Sequence, residues 1–477
     1  MSRARTPSRR PLGPIVVVLC AVNVIVALDF LGASVLLNPI GRDLHLSTAD
    51  LAWVVNGYLL TLAAPLIAAG RAADRWGAVR LTRIGIVIFG AGALVTGLAT
   101  TVEVLVGGRM VQGLGASVLA ATGLTLVNSS TAPGNRGRVV GIWAGVGAVG
   151  SAAGPLVAGL IESVSIWRMF FLIDVPIALL VWWWLRAAQD DPATRAREPL
   201  GLASAVALTG GLGLGVFSVL QAPESGWGSG PVVGAGIAAL GALTWFVVEE
   251  MRAAKPFIDR TLVAHGRGTA ASVTAFVGNA AFAGVAFFAS LYLQQVQGLS
   301  AVSAGAVFLA MTVPLIALSP VAGTLTQRVD VRLLMAAGML VVAGSVAVFA
   351  VLGTESGIVT VAVALALSGI GQAFVFNVSN IAAMRGVTAT AGGLASGVVN
   401  EVRQLGALIG LAAVGGALAS GQRHEGGRDG AQRFVAALHT PSWALAGVCV
   451  AAAIVVVLSP QGAGTDAGTD TLAATDH

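Results

Sequence analysis

Four ionisable residues stand inside long apolar runs, where charge is most costly. Asp29 lies midway along residues 15–37, Arg109 a few residues into 104–127, and Glu401 and Arg403 toward the middle of 392–419. A charged side chain at the centre of a membrane helix costs about 2.5–3.5 kcal/mol on insertion scales, so such residues are paired, neutralised or turned to a water-filled cavity. Burial favours the neutral form of a carboxyl, and a neighbouring guanidinium favours the ionised form. An acid held between these influences can take a proton on one side of a membrane and release it on the other, or attract a cation. Asp29 reads either as such a site or as the structural counter-ion of Arg109 or Arg403. Arg109 either snorkels to the outer headgroups or turns inward to tune a carboxylate. Gln112 and Gly113, three and four positions on, share its helical face. Glu401 and Gln404 share a face by the same spacing, as an internal neutralising cluster or a second proton site.

The surrounding composition demands a membrane. Of 477 residues, 56% are hydrophobic and 10% charged, against roughly 25% charged in soluble domains. Mean hydropathy is +0.86. So few charges cannot cover a soluble surface, which excludes a soluble enzyme, a disordered chain and a nucleic-acid binder. The 63 glycines lie within apolar runs, as in helices packed closely in lipid. Fourteen runs are long enough to span a bilayer core, which takes about 20 apolar residues. They are too long, and lack the alternation, for barrel strands. The chain is therefore expected to be an all-α polytopic membrane protein of fourteen spans. Cys20 and Cys449 read as buried small hydrophobes, and His424 and His439 are too isolated for a metal site. No phosphate-cradling loop is present, so neither a metal nor a nucleotide cofactor is expected.

Arg3, Arg5, Arg9 and Arg10 precede the first run, but that run exceeds a signal h-region and contains Asp29; it reads as a retained first helix. With the N-terminus inside, twenty Lys and Arg residues fall on the cytoplasmic side and five outside. That asymmetry is the positive-inside rule. It explains the net charge of +5 without a nucleic-acid partner. Both termini are expected to be cytoplasmic.

The loop after the second run holds Gly70, Asp74, Arg75, Gly77 and Arg80, and a degenerate copy follows the tenth run from Gly323 to Asp330. The eight-run shift divides the chain into a tail (1–14), a six-helix bundle (15–185), two added helices (200–248), a second six-helix bundle (270–458) and a tail (459–477). Such repeats build many secondary transporters, with the binding site between the halves. The loop reads as a gate latch or as a topology anchor. Gly150, Gly154, Pro155 and Gly159 in the fifth run form a small-residue stripe that packs helices closely, with a bend at the proline. Gln294, Gln295 and Gln297 read as a polar rim outside the ninth run.

These residues carry a family resemblance. Gly70–Arg80 resembles the cytoplasmic loop motif of the major facilitator superfamily, and Arg109-x-x-Gln112-Gly113 its fourth-helix motif. The Gly150–Gly159 stripe resembles the fifth-helix motif of its proton-driven exporters. Leu28-Asp29, Trp167-Arg168, Asp174-x-Pro176 and Asn400-x-x-Arg403-Gln404 resemble the 14-span drug:proton antiporter group. Departures are Leu31, Ser34 and Asn38 in the first helix, Asp174 where Asn is usual, Ala158 where Gly is usual, and Glu401 as an added acid.

The resemblance implies the major facilitator fold. It also implies a proton-coupled efflux transporter of small hydrophobic or cationic drugs and antibiotics, working by alternating access. The proton gradient supplies the energy, with Asp29, Arg109, Glu401 and Arg403 as coupling or substrate residues. Its partners are substrate, protons and lipid, and it acts as a monomer. A facilitator or symporter of another metabolite is the alternative; a polytopic membrane enzyme is remote, because no His/Asp/Ser cluster gathers at one face. Abundant Ala, Arg and Gly with Lys255 as the sole lysine suggest a GC-rich bacterial genome and hence the cell membrane. In a background lacking Cys20 and Cys449, a cysteine replacing Gly430 is expected to react with an impermeant thiol reagent in intact cells. Reaction only after permeabilisation would overturn the orientation or the span count.

Overall fold

The computed structural model describes residues 13–63, 65–130, 136–164, 166–186, 202–253, 266–384, 392–424 and 430–459, and every element among them is a helix. The first half comprises α1 (Gly13–Leu44), α2 (Thr48–Ala63), α3 (Leu66–Trp76), α4 (Ala78–Gly97), α5 (Val102–Ser130), α6 (Arg136–Val164), α7 (Arg168–Leu172) and α8 (Asp174–Leu185). Two helices follow, α9 (Leu202–Ser225) and α10 (Gly230–Arg252). The second half comprises α11 (Gly266–Leu291), α12 (Ala301–Leu325), α13 (Val331–Phe349), α14 (Ile358–Met384), α15 (Gly392–His424) and α16 (Gly430–Leu458). A π-helical turn, Tyr292–Val296, extends α11.

Local chemistry sets the boundaries. Ser47 and Asp50 cap α2 reciprocally: Ser47 N donates to Asp50 Oδ2 at 2.9 Å and Asp50 N to Ser47 Oγ at 3.2 Å, a capping-box arrangement. Pro65 stands at the break between α2 and α3, where its missing N–H interrupts the helical ladder. Gly77 turns α3 into α4 with φ of +96°, a conformation open to glycine and strained for other residues. Pro176 likewise cannot donate to the Leu172 carbonyl, and the sixth run divides into α7 and α8 there.

Corresponding helices of the two halves pack in the same pairs. α4 lies on α5 as α13 lies on α14, and α1 lies on α6 as α11 lies on α15. The halves meet through α6 against α12 and α2 against α15. The added pair α9–α10 leans through α9 on both α2 and α15.

Arg332 Nη1 donates to the Ser459 carbonyl at 2.8 Å, placing the start of α13 and the end of α16 on one membrane face. At the opposite, distal face, Gln294 Nε2 donates to the Val35 carbonyl at 2.8 Å and Ser290 Oγ donates to the Ser34 carbonyl. Gln294 is therefore not a polar rim. The π turn directs it inward, where it is 2% exposed and joins the halves.

Twelve described helices are long and apolar enough to cross a membrane. They correspond to twelve of the fourteen expected runs. The second run is divided at Pro65, and the fifth lies within the 29-residue α6, whose Val149–Val164 part is apolar. The tails up to residue 12 and from residue 460 lie outside the described residues, as do the side chains of Arg71 and Asp74.

The small-residue stripe of α6 serves two seams. Gly150 and Gly154 face the α1 backbone; a Cβ at Gly154 would lie 2.5 Å from the Leu28 carbonyl oxygen. Gly159 faces α12, where a Cβ would lie 2.6 Å from the Ala301 carbonyl oxygen. Gly154→Val is expected to destabilise by about 1–3 kcal/mol through overpacking. Gly447→Val, built into open space, is expected to stay within about 0.5 kcal/mol of the parent. Thermal unfolding in detergent checks this; equal effects would show that the α1–α6 contact is not tight.

Candidate functional site

Asp29 sits at the middle of α1 and is fully buried, as is Arg109 on α5. Glycines bring the helices of this half close enough for the two to meet. Gly113 of α5 lies against the Tyr58 carbonyl of α2, and Gly92 of α4 against the backbone of Gln112. Thr61 Oγ1 fixes the α2–α5 seam by donating to the Met110 carbonyl at 2.6 Å.

Arg109 consequently turns inward and does not snorkel. Its Nη1 donates to Asp29 Oδ2 at 2.6 Å, and its Nε donates to the Val54 carbonyl at 3.3 Å. The guanidinium carbon lies 4.2 Å from the centre of the Tyr58 ring, a cation–π contact in a desolvated setting. Gln112, one turn on, links the cluster. Its Oε1 accepts from Arg109 Nη1 at 2.8 Å, and its Nε2 donates to Asp29 Oδ1 and to Asp174 Oδ2, each at 3.3 Å. Asp174, at the start of α8, is 4% exposed. Four helices thus converge on one guanidinium and two carboxyls. Of the two candidate counter-ions for Asp29, the structure joins it to Arg109.

The second half carries a different arrangement. Glu401 and Arg403 are 2% and 3% exposed but two residues apart on α15, so they leave the helix in different directions. Neither oxygen of Glu401 has a hydrogen-bond partner among the described residues. Arg403 lies 4.0 Å above the Phe376 ring, and its Nη1 donates to Asn400 Oδ1 at 3.1 Å. Asn279 Nδ2 donates to the Arg403 carbonyl at 3.0 Å, and Gln372 Nε2 donates to Asn279 Oδ1 at 3.4 Å. The four ionisable residues therefore form two separate sites, one in each half.

Between the halves lies a narrow crevice of about 10 Å³, room for about one water, lined by Phe30, Ser34, Val55, Leu59, Phe287 and Leu411 among others. It is mainly apolar and borders Asp29 through the next residue of α1. The expected gating loop is mostly helical: Gly70, Asp74 and Arg75 lie on α3 and Arg80 on α4, with Gly77 making the bend between them, and Arg75 and Arg80 are exposed.

Sequence reasoning missed Tyr58. Its signal was rarity: it is one of two tyrosines in the chain, set within an apolar run. Asp174 was marked only as a departure at an Asn position.

A family model described as "Major Facilitator Superfamily" matches residues 19–411. The chain is 32% identical over 349 residues to the tetracenomycin C resistance and export protein of Streptomyces glaucescens, a match covering 73% of this chain and 65% of that protein. It is 35% identical to the cephamycin export protein CmcT of Amycolatopsis lactamdurans, covering 68% of this chain and 67% of that protein. A crystal structure of a POT family transporter in complex with 5-aminolevulinic acid shares the fold, with a TM-score of 0.69 and 12% identity over 93% of this chain and 96% of that one. Helix order, paired packing, the motif residues and these matches converge: the chain is a multi-span membrane transporter, not an enzyme, and it belongs to the major facilitator superfamily.

Proposed function

We propose that the protein is a proton-coupled exporter of small hydrophobic or cationic molecules, antibiotics among them, working by alternating access in a bacterial cell membrane. The observation that carries this reading is the buried Asp29–Arg109–Gln112 network beside an apolar crevice between the halves. The apolar lining of the crevice suits an apolar substrate once the halves part, and a buried acid–base cluster one residue away suits a proton whose arrival alters α1. The export and resistance proteins named above support the outward direction.

In this reading the chain crosses fourteen times. α2 with α3 forms the second crossing, broken at Pro65, and α6 the fifth. Both termini are cytoplasmic, so the distal contacts at Ser34 and Val35 close the outer side. The halves then rock about the α6–α12 and α2–α15 seams. Glu401 is a second protonatable group in the opposite half, and Arg403, on another side of the same helix, is a fixed positive charge. The protein works as a monomer and needs no cofactor beyond the proton gradient.

Inverted membrane vesicles given lipophilic cations or antibiotics in the external medium test this directly. Uptake driven by an imposed proton gradient is expected in the parent and lost in Asp29→Asn, with Glu401→Gln reduced. Removing one member of a buried ion pair costs about 3–5 kcal/mol, so Asp29→Asn needs a thermal-stability control. Gradient-independent transport by the parent would overturn proton coupling; wild-type activity in Asp29→Asn would remove Asp29 from it.

The Gly70–Arg80 loop acts as a state-dependent latch at the cytoplasmic end. Asp74→Ala and Arg75→Ala are expected to reach the membrane with near-parent stability and to export several-fold more slowly, since exposed charge pairs contribute only about 0–1 kcal/mol to folding. Export at the parent rate by both would reduce the loop to a topology signal.

A further inference from the structure

The first-half cluster contains two carboxyls and one guanidinium. Asp29 and Arg109 are fully buried and Asp174 is 4% exposed. With both carboxyls ionised, the cluster would hold a net negative charge in a site that solvent scarcely reaches. An unpaired buried charge is far more costly than a neutral carboxyl that keeps its hydrogen bond. The cluster as folded therefore contains one proton more than its ion pair requires.

The hydrogen bonds distinguish the two carboxyls. Asp29 accepts on both oxygens, from Arg109 Nη1 at 2.6 Å and from Gln112 Nε2 at 3.3 Å. Asp174 has one hydrogen bond among the described residues, a weak one from the Gln112 amide at 3.3 Å, and makes no salt bridge there. A proton on Asp29 would separate two buried charges, Arg109 and Asp174. A proton on Asp174 leaves none unpaired. The other elements around Asp174 offer no competing charge at this level. From α2 comes the neutral phenol of Tyr58; α4 carries its arginines, Arg80 and Arg83, at its opposite end; and next to α7 the Arg168 guanidinium is engaged with Asp43 at 2.6 Å.

We propose that Asp174 carries the exchangeable proton of this transporter and that Asp29 remains ionised as the partner of Arg109. Release breaks the Asp174 O–H bond, the proton passes to water, and a second carboxylate appears beside the pair. Arg109 Nη2, buried and without a hydrogen-bond partner among the described residues, is the donor in place to receive it. Gln112 holds one N–H on each carboxyl, so it cannot satisfy the new charge without loosening from Asp29. Deprotonation of α8 thereby pulls Arg109 away from α1. For its consequence in transport the inference rests on the efflux reading above; where the proton resides does not.

Infrared difference spectroscopy of the purified full-length protein, between neutral and alkaline pH, reads the C=O stretch of a protonated buried carboxyl. A Glu401→Gln background removes the other unpartnered buried acid. The expected result is a protonated-carboxyl band in that background that shifts with Asp174→Glu, keeps its position with Asp29→Glu, and disappears with Asp174→Asn, where Asp29 stays ionised beside Arg109. A band that shifts with Asp29→Glu and not with Asp174→Glu would overturn the assignment, as would absence of any such band near neutral pH in the Glu401→Gln parent. Asp174→Asn is a shape-conserving change, and thermal unfolding confirms its fold. In vesicles, Asp174→Asn with Glu401 intact is expected to lose gradient-driven transport and keep substrate exchange; an unchanged driven rate would overturn Asp174 as the carrier. If the parent shows no driven transport at all, the efflux reading fails, and the infrared band still decides where the proton resides.

Discussion

A guanidinium and a carboxylate buried together in a bilayer constrain everything around them. Either ion alone is strongly unfavourable in hydrocarbon, and even a good pair must be held in tight geometry to offset desolvation. The 2.6 Å contact between Asp29 and Arg109 therefore demands that α1 and α5 hold their rotation and height to a fraction of an ångström. Gln112, Tyr58 and the Val54 carbonyl supply the remaining constraints. The helices it joins also share an apolar cluster that includes Ile25, Leu62, Phe89, Leu119 and Ala178, so any change in the charge of the pair is felt by all of them.

Close backbone packing makes that geometry reachable. Arg109 lies seven residues beyond the start of α5, which is about 10 Å along the axis. A larger residue at Gly113 would drive α5 from the Tyr58 backbone, and one at Gly154 would drive α6 from Leu28 beside Asp29. These glycines contribute no chemistry of their own. They set the depth and rotation at which the charged side chains meet, so α6, which holds none of the cluster's ionisable groups, still determines where Asp29 sits.

Much of this was legible in the sequence because the cost of charge in lipid is a local property. Asp29, Arg109, Glu401 and Arg403 stood out from their apolar surroundings alone. Pairing was not legible, because it depends on helix rotation: Arg109 and Arg403 were equal candidates for Asp29 until the α2–α5 and α4–α5 seams turned Arg109 inward. Asp174 was visible as an acid at an Asn position, but its approach to Gln112 depends on the α7–α8 break at Pro176. Gln294 was misread because the π turn that directs it inward has no simple sequence period. The crossing count is similarly divided: apolar length shows twelve helices among the described residues, and the break at Pro65 divides the second run into two helices each too short to count.

The two halves treat their buried charge differently, and the difference gives the fold a direction. In the first half, the carboxyls, guanidinium and amide form one connected network. In the second, Glu401 has no hydrogen-bond partner among the described residues, and Arg403 rests on an aromatic face. A carboxyl without a partner gains most from water or from a cation, whereas a connected network, satisfied but for Arg109 Nη2 and the Tyr58 hydroxyl, gains most from staying closed. The crevice touches the satisfied side through Phe30 and Leu31, neighbours of Asp29 on α1. An apolar molecule pressing on those residues shifts α1 against a network that tolerates little displacement. In the proposed mechanism a substrate against α1 and a proton on Asp174 of α8 both act on the Asp29–Arg109 pair without touching each other, so their coupling needs no longer path than this one network.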